Sequence, residues 1–375
     1  MLEPFLLFLA GLAGTLVLTP YVLRLSARWG AMDEPGERKI HEHPVPRLGG
    51  LAIFGTFSIA SLLALLASER LRASFEANAA FWLSLAAGAT LVFLLGIYDD
   101  IRHASVWMKF AVQFAAALLP MAWGGIRIEQ LGVPFDGVVS LGWLSWPLTA
   151  LWIVGVTNAF NLIDGLDGLA GGIAFISITT IFTISLMAGG RSLVVLVSAA
   201  LSGALLGFLR YNRYPAQIFL GDCGSMFLGF MLAVLSVVGV SKKTTTLALL
   251  IPILVVGVPV FDTLFAMGRR FAKKVVVEKE WRPSALRAMF RADKSHIHHV
   301  LLDMGYTHRK TVFILYGMSI ILALFAVVAS IAANDRNHFG LIIAGAAVFV
   351  IVRQWGKFIA LPGFGGGRKN GEGAE

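Results

Sequence analysis

The sequence predicts an all-α polytopic membrane protein with about eleven transmembrane helices, each needing roughly 20 apolar residues to cross the hydrocarbon core. Three observations carry this expectation. The 375 residues are 57% apolar and only 14% charged, a more apolar and less charged mixture than soluble domains carry. Apolar runs of spanning length recur from one end to the other. The basic residues fall almost entirely on one side of the membrane that those runs define.

The runs lie near 5–25, 48–67, 80–98, 106–124, 141–160, 168–188, 192–209, 223–240, 245–266, 311–332 and 338–356. The first is not a cleaved signal peptide, which would carry a basic start and a small-residue cleavage site. Its start is acidic, at Glu3, and Arg24 and Arg28 follow it. That order fits a signal anchor with its N-terminus outside, in the periplasm. The inside loops are then 26–47, 99–105, 161–167, 210–222 and 267–310, plus the tail. Of the 31 Lys and Arg, only Arg70, Arg72, Arg127, Arg191, Lys242, Lys243 and Arg336 fall outside. This skew is what the positive-inside rule requires. The net charge of +9 is therefore mostly a topology signal. No compact basic domain exists to bind nucleic acid.

Pro147 and Gly203 interrupt two central runs and soften their boundaries. The outside segment 126–137 alternates like a short hairpin. Residues 1–356 form one integral membrane domain, and 357–375 is a glycine-rich, flexible cytoplasmic tail. The single cysteine, Cys223, excludes an intramolecular disulfide. No internal repeat is visible, which counts against transporters built from duplicated halves.

Polar residues gather in "ERKIHEHPVPRLGG" (37–50), "YDDIRH" (98–103), "NAFNLIDGLDG" (158–168), "FLGDCGS" (219–225) and "SHIHH" (295–299), all on the inside face. Asp99 and Asp100 end the third run. Adjacent carboxylates repel unless a cation or a proton lies between them, and their hard oxygens suit Mg²⁺. A solvated helix end is the plain alternative. Asn158, Asn161, Asp164 and Asp167 recur every three residues, a polar stripe if helical. Gly165 and Gly168 suggest instead that the helix breaks and restarts, which membrane depth tolerates only beside protein or a wet cavity. Asp222 lies in a glycine-flanked turn that opens a run, as a helix cap or a metal ligand. Cys223 follows it, so its thiol is expected beside the site and slowly reactive. His296, His298 and His299 share a basic loop. Zinc lacks partners there, leaving a phosphorylated anion or a merely solvated loop. Asp262, inside an apolar run, either faces a cavity or pairs with a loop arginine.

In this order and on one face, these stretches resemble the polyprenyl-phosphate N-acetylhexosamine-1-phosphate transferases. The resemblance covers residues 5–356. The form "HIHH" is closer to the WecA/TagO branch than to the distant MraY translocase. It implies a phosphoglycosyltransferase of the bacterial cytoplasmic (inner) membrane, dependent on Mg²⁺, with Mn²⁺ as a substitute. The implied reaction moves a sugar 1-phosphate from UDP-N-acetylglucosamine to undecaprenyl phosphate and releases UMP. This is the first lipid-linked step of an envelope polysaccharide. Another UDP-N-acetylated sugar is the alternative donor, and a transporter is the alternative class. A homodimer is compatible with the family.

Carried over, the resemblance makes Asp99, Asp100 and Asp222 catalytic, with Asp99 deprotonating or positioning the lipid phosphate. It gives Mg²⁺ to Asp222, Asp164 and Asp100. Asn158, Asn161, Asp164 and Asp167 match the nucleotide segment, and His296, His298 and His299 the sugar-diphosphate side. Lys39, His41 and Arg47 match the basic first loop, and Lys109 a basic position after the aspartate pair. Two positions depart from the pattern. Cys223 replaces a Ser or Thr, and "DDIRH" lacks the family's lysine, a place that Arg102 or Lys109 would have to fill.

Overall fold

A computed structural model describes residues 2–34, 43–133, 137–189, 192–239, 250–277 and 296–331, with scattered positions from 340 to 350. Its helices are α1 (Leu2–Arg28), α2 (Gly49–Ala67), α3 (Glu69–Glu76), α4 (Ala79–Arg102), α5 (Val106–Ala122) and α6 (Ser145–Ile163). There follow α7 (Leu169–Met187), α8 (Ser192–Asn212), α9 (Gly221–Gly239), α10 (Leu250–Val255), α11 (Gly257–Ala272), α12 (Ile297–Asp303) and α13 (His308–Ile331). Among the described residues, sheet is limited to two antiparallel ribbons. Strand β1 (Met32–Asp33) pairs with β2 (Val45–Pro46), and β3 (Gln130–Val133) with β4 (Gly137–Ser140). The second ribbon is the hairpin expected near 126–137, displaced slightly along the chain.

Eight described helices are long and apolar enough to cross a membrane: α1, α2, α4, α6, α7, α8, α9 and α13. The chain is a multi-pass helical membrane protein. Of the remaining expected runs, 106–124 is the apolar but 17-residue α5. Run 338–356 and the tail lie largely or wholly outside the described residues.

Run 245–266 is broken in the structure. Its described part is α10 and α11, which meet at Val256. Pro259 explains the break, because it has no N–H to offer the carbonyl four residues back. That carbonyl, on Val255, instead accepts a hydrogen bond from Ser177 Oγ of α7 at 2.7 Å. A neighbouring helix thus satisfies the freed group, as a hydrocarbon interior demands. Neither interruption that softened the central boundaries breaks its helix. Pro147 falls in the first turn of α6, where the missing N–H has no intrahelical partner to lose. Gly203 lets α1 and α8 touch, since a Cβ there would lie inside the Phe8 carbonyl.

Helix α9 is the axis of the bundle. Every side chain from Cys223 to Ser236 is buried, the mark of a helix surrounded by protein rather than lipid. It packs on α2, α4, α6 and α7. The first turn of α9 therefore lies where the inner ends of α2, α4 and α6 converge.

Candidate active site

The site is built around that first turn. Gly221 opens α9 with φ +74°, a left-handed conformation that glycine adopts without strain. A Cβ there would also collide with the Arg47 carbonyl and the Asp100 carboxylate. Asp100, from the end of α4, accepts the Asp222 N–H at 2.9 Å on one oxygen and the Cys223 N–H at 3.0 Å on the other. It thus caps α9 from another helix, satisfying N–H groups that a helix start leaves open. Asp99 is committed in part as well, with Oδ1 accepting the Ala104 N–H at 2.7 Å.

Asp222 is more open than Asp99 or Asp100, its side chain 21% exposed against 8% and 0%. Asn161 of α6 donates to its Oδ1 at 2.9 Å and to Ser225 Oγ at 3.0 Å, fixing the carboxylate's orientation. Lys109, near the start of α5, puts its ammonium between Asp222 Oδ2, at 3.0 Å, and Asp99 Oδ2. Arg47 reaches the same group, with Nε 3.7 Å from Asp100 Oδ1 and a terminal nitrogen 3.4 Å from Asp33. It is aimed by backbone pairing between its loop and the approach to α9. Phe219 N–H donates to Pro46 O, and the Gly49 and Gly50 N–H groups donate to Phe219 O and Leu220 O, all at 2.8–3.0 Å.

The stretch 158–168 divides between two roles. Helix α6 ends at Ile163 and α7 starts at Leu169, so the asparagines are helical and the aspartates lie in the expected break. Asp164 is half-buried, and among the described residues its carboxylate makes no hydrogen bond or ion pair. Burial, then the nearby Asp222 and Asp100 charges, hold its pKa well above the ordinary carboxylate value. Asp167 turns away from this group. Its Oδ2 accepts the Ala216 N–H at 2.9 Å, and its own N–H donates to His308 Nε2 at 3.1 Å. Asn158 sits deeper, donating to Gln113 Oε1 at 2.6 Å.

The histidines approach from the other side. Asp262 of α11 meets His296 Nδ1 at 2.7 Å and accepts the Ile297 N–H at 2.8 Å, so it caps α12 and orients the ring. Among the described residues its side-chain partner is this histidine, and the loop arginines considered from sequence lie outside them. His298 is buried, and its Nδ1 has no partner among the described residues. Its Nε2 faces Gly165, where a Cβ would come within 2.5 Å. Burial, then the adjacent His299 and His296, lowers its pKa to about 3, so it is a neutral imidazole at physiological pH. His299 packs against it with ring centroids 4.3 Å apart. Lys39 and His41 lie outside the described residues.

Cys223 does not behave as expected. It is fully buried, with Gly96 of α4 and Gly50 of α2 packed against its backbone and that of Gly224. No reagent in solution reaches it in this state. Sequence reasoning missed Gln113, Ser225 and Asp33. Gln113 carried a signal, lying four residues after Lys109 and so on the same helix face.

Among the described residues, no three His, Cys, Asp or Glu side chains converge into a metal cage. The donors present suit a different arrangement. Mg²⁺ characteristically takes one or two carboxylates and completes its shell with phosphate oxygens and water. Asp222 is partly accessible and oriented, Asp164 is unpartnered among the described residues, and a cationic ammonium already rests against Asp222 and Asp99. The residues fit the ion. Carboxylates, guanidinium, ammonium and imidazoles on one face form a set able to bind and align phosphoryl groups.

Comparison with known proteins bears on the same residues. The family model described as glycosyl transferase family 4 matches residues 82–240. The chain is 39% identical to a Bacillus subtilis protein named probable undecaprenyl-phosphate N-acetylglucosaminyl 1-phosphate transferase, over 86% of this chain and 83% of the relative. It is 34% identical to a Mycobacterium tuberculosis decaprenyl-phosphate N-acetylglucosaminephosphotransferase, over 92% and 88%. It is 27% identical to the undecaprenyl-phosphate alpha-N-acetylglucosaminyl 1-phosphate transferase of Escherichia coli, over 85% and 80%.

Proposed function

The chain belongs to glycosyl transferase family 4, among its polyprenyl-phosphate N-acetylglucosamine-1-phosphate transferases, and from that premise we propose that it transfers N-acetylglucosamine 1-phosphate from UDP-N-acetylglucosamine to undecaprenyl phosphate, releasing UMP. The observation that carries the reading at the site is the oriented Asp222, held by Asn161 and flanked by Lys109 and Asp99, with Asp164, unpartnered among the described residues, within reach of its charge. The expected topology completes it, with about eleven spans, a periplasmic N-terminus and this site on the cytoplasmic face of the inner membrane.

In this reading Asp222 and Asp164 hold Mg²⁺, and Asp100 supports them by capping α9. The bound ion supplies charge neutralisation on the pyrophosphate. Arg47 and Lys109 receive the lipid phosphate as it arrives from the bilayer. Asp99 positions that phosphate and accepts its proton. An oxygen of the lipid phosphate forms a bond to the β-phosphorus of the sugar nucleotide. The bond from that phosphorus to the bridging oxygen breaks, and UMP departs with the electron pair. His298, neutral and with a free ring nitrogen, donates or accepts a hydrogen bond on the sugar-diphosphate side, and His296 and His299 flank it.

Purified protein in detergent with undecaprenyl phosphate, Mg²⁺ and labelled UDP-N-acetylglucosamine should yield organic-soluble label. Chelation by EDTA should abolish it, and Asp222→Asn should lower it by at least ~10²-fold, the scale of one lost electrostatic contact in the transition state. Lipid-linked product at the full rate in EDTA would refute the metal assignment. A larger rate with another UDP-N-acetylated sugar would reassign the donor.

A further inference from the structure

Gln113 and Asn158 lie one helical turn deeper in the bundle than the carboxylate site, and the proposed reaction gives neither a task. They come from the same helices as the contacts of Asp222. Helix α5 supplies Lys109 and, four residues on, Gln113. Helix α6 supplies Asn161 and, three residues back, Asn158. Helix α9 supplies Asp222 and, four residues on, Met226. Spacings of three and four keep each pair on one face of its helix. The result is two stacked layers. In the upper one Lys109 and Asn161 address different oxygens of Asp222. In the lower one Asn158 Nδ2 donates to Gln113 Oε1 at 2.6 Å. Gln113 Nε2 in turn meets Asn158 Oδ1 at 3.5 Å and Met226 Sδ at 3.4 Å.

The donors of the lower layer are all used within the layer or by its own helix. Asn158 Nδ2 also donates to Val154 O at 2.8 Å, so both N–H groups of each amide have an acceptor. Asn158 therefore has no N–H left for the nucleotide that the resemblance gives it. In a membrane bundle an amide pair of this kind ties one helix to the next.

Helix α5 is the one that needs the tie. It is shorter than its neighbours α4, α6 and α9, and Trp107, Phe114 and Leu118 on it are exposed. Gln113 is its first buried residue and its only buried polar one. The turn that carries Lys109 thus has no core packing of its own. Helices α6 and α9 are held differently, with Gly229 so close to Thr157 that a Cβ there would lie 2.8 Å from the Thr157 Cα. Asn161 therefore keeps its place on Asp222 without the lower layer, and Lys109 does not. We infer that Gln113 is a positioning residue, whose amide pair with Asn158 fixes α5 against α6 and so holds the Lys109 ammonium on Asp222. The inference rests on the transfer reaction proposed above for the kinetic arm of its test, and the metal-binding arm needs no turnover.

The test uses the full-length protein in detergent. Gln113→Met removes the amide pair and keeps a side chain of similar length. With Lys109 released from Asp222, Mn²⁺ affinity should rise by up to about tenfold, the scale of one neighbouring charge. Turnover should fall by ~10–10²-fold, the scale of a misplaced group at a reacting centre, with the KM for UDP-N-acetylglucosamine nearly unchanged. In a Lys109→Met background the same substitution should alter either quantity by less than ~2-fold, because both changes act through one contact. Gln113→Met with Asn158→Leu makes both partners apolar and should melt near the wild-type temperature. It carries the same measurements if the single variant does not fold. Wild-type Mn²⁺ affinity and turnover in these variants would overturn the inference. So would effects of full size in the Lys109→Met background, or a KM for the nucleotide raised by Asn158→Leu and untouched by Gln113→Met. A wild-type protein that forms no lipid-linked product would refute the transfer reading instead, and the Mn²⁺ comparison would still decide this one.

Discussion

Lys109 places its ammonium against both Asp99 and Asp222, where a divalent cation would have to compete with it. Lys109→Met should therefore bind Mn²⁺ about tenfold more tightly, the scale of one neighbouring charge, while turning over more slowly for want of a phosphate partner. A Mn²⁺ titration read by electron paramagnetic resonance checks this, and unchanged or weaker binding would contradict it. Asp164 gives a pH dependence of known sign. Its raised pKa means that the fold favours the protonated acid. Stability of the metal-free protein is thus full below the ordinary carboxylate range and declines as pH rises through the raised value. Metal binding runs the opposite way, since it needs the carboxylate. Mn²⁺ affinity should climb with pH, by up to about tenfold per unit below that pKa, and Asp164→Asn should flatten the climb. His298 has the reverse linkage, with its pKa lowered from 6.5 to about 3. It contributes stability above 6.5 that is lost as pH falls toward 3. Melting temperatures across that range should fall less steeply in His298→Gln than in the wild type.

Between elements, the decisive contacts join residues far apart in the chain. Asp262 caps α12 and fixes His296, so Asp262→Ala should loosen the whole histidine segment. The KM for UDP-N-acetylglucosamine should rise, and that for undecaprenyl phosphate should hardly move. An effect on the lipid alone would place α12 elsewhere. At the seam of α4 and α9, Gly96→Ala puts a methyl into the Cys223 backbone. A loss of ~1–3 kcal/mol, the usual cost of overpacking, is expected in thermal unfolding, and because the methyl also meets the Asp222 carbonyl activity should fall with it. Runs of apolar residues made most of these helices legible in the sequence, and Gly165 with Gly168 announced the break before α7. The partner of each polar residue was not legible. Nothing local says that Asp100 caps α9, 122 residues further on, or that Asp167 holds the Ala216 N–H. The break before α11 was equally hidden, because Pro259 sits in an apolar run whose composition alone allows a continuous helix.

At the scale of the molecule, a nearly fully buried α9 surrounded by other helices brings chemistry-bearing residues of α4, α5, α6 and the loop before α2 to one end of the bundle. The stretches 37–50, 98–103, 158–168, 219–225 and 295–299 could be grouped on one face from charge asymmetry and motif order. Their grouping into a carboxylate centre, a loop-holding Asp167 and a histidine side emerged only from packing. The proposed chemistry cleaves one particular bond, so the position of a single labelled phosphorus distinguishes it from ordinary sugar transfer. UDP-N-acetylglucosamine labelled at the β-phosphorus is incubated with purified protein, undecaprenyl phosphate and Mg²⁺, and the lipid and aqueous phases are separated. The label should enter the lipid phase in step with unlabelled UMP in the aqueous phase. Label left in the aqueous phase as UDP while the sugar becomes lipid-linked would contradict transfer of the sugar 1-phosphate.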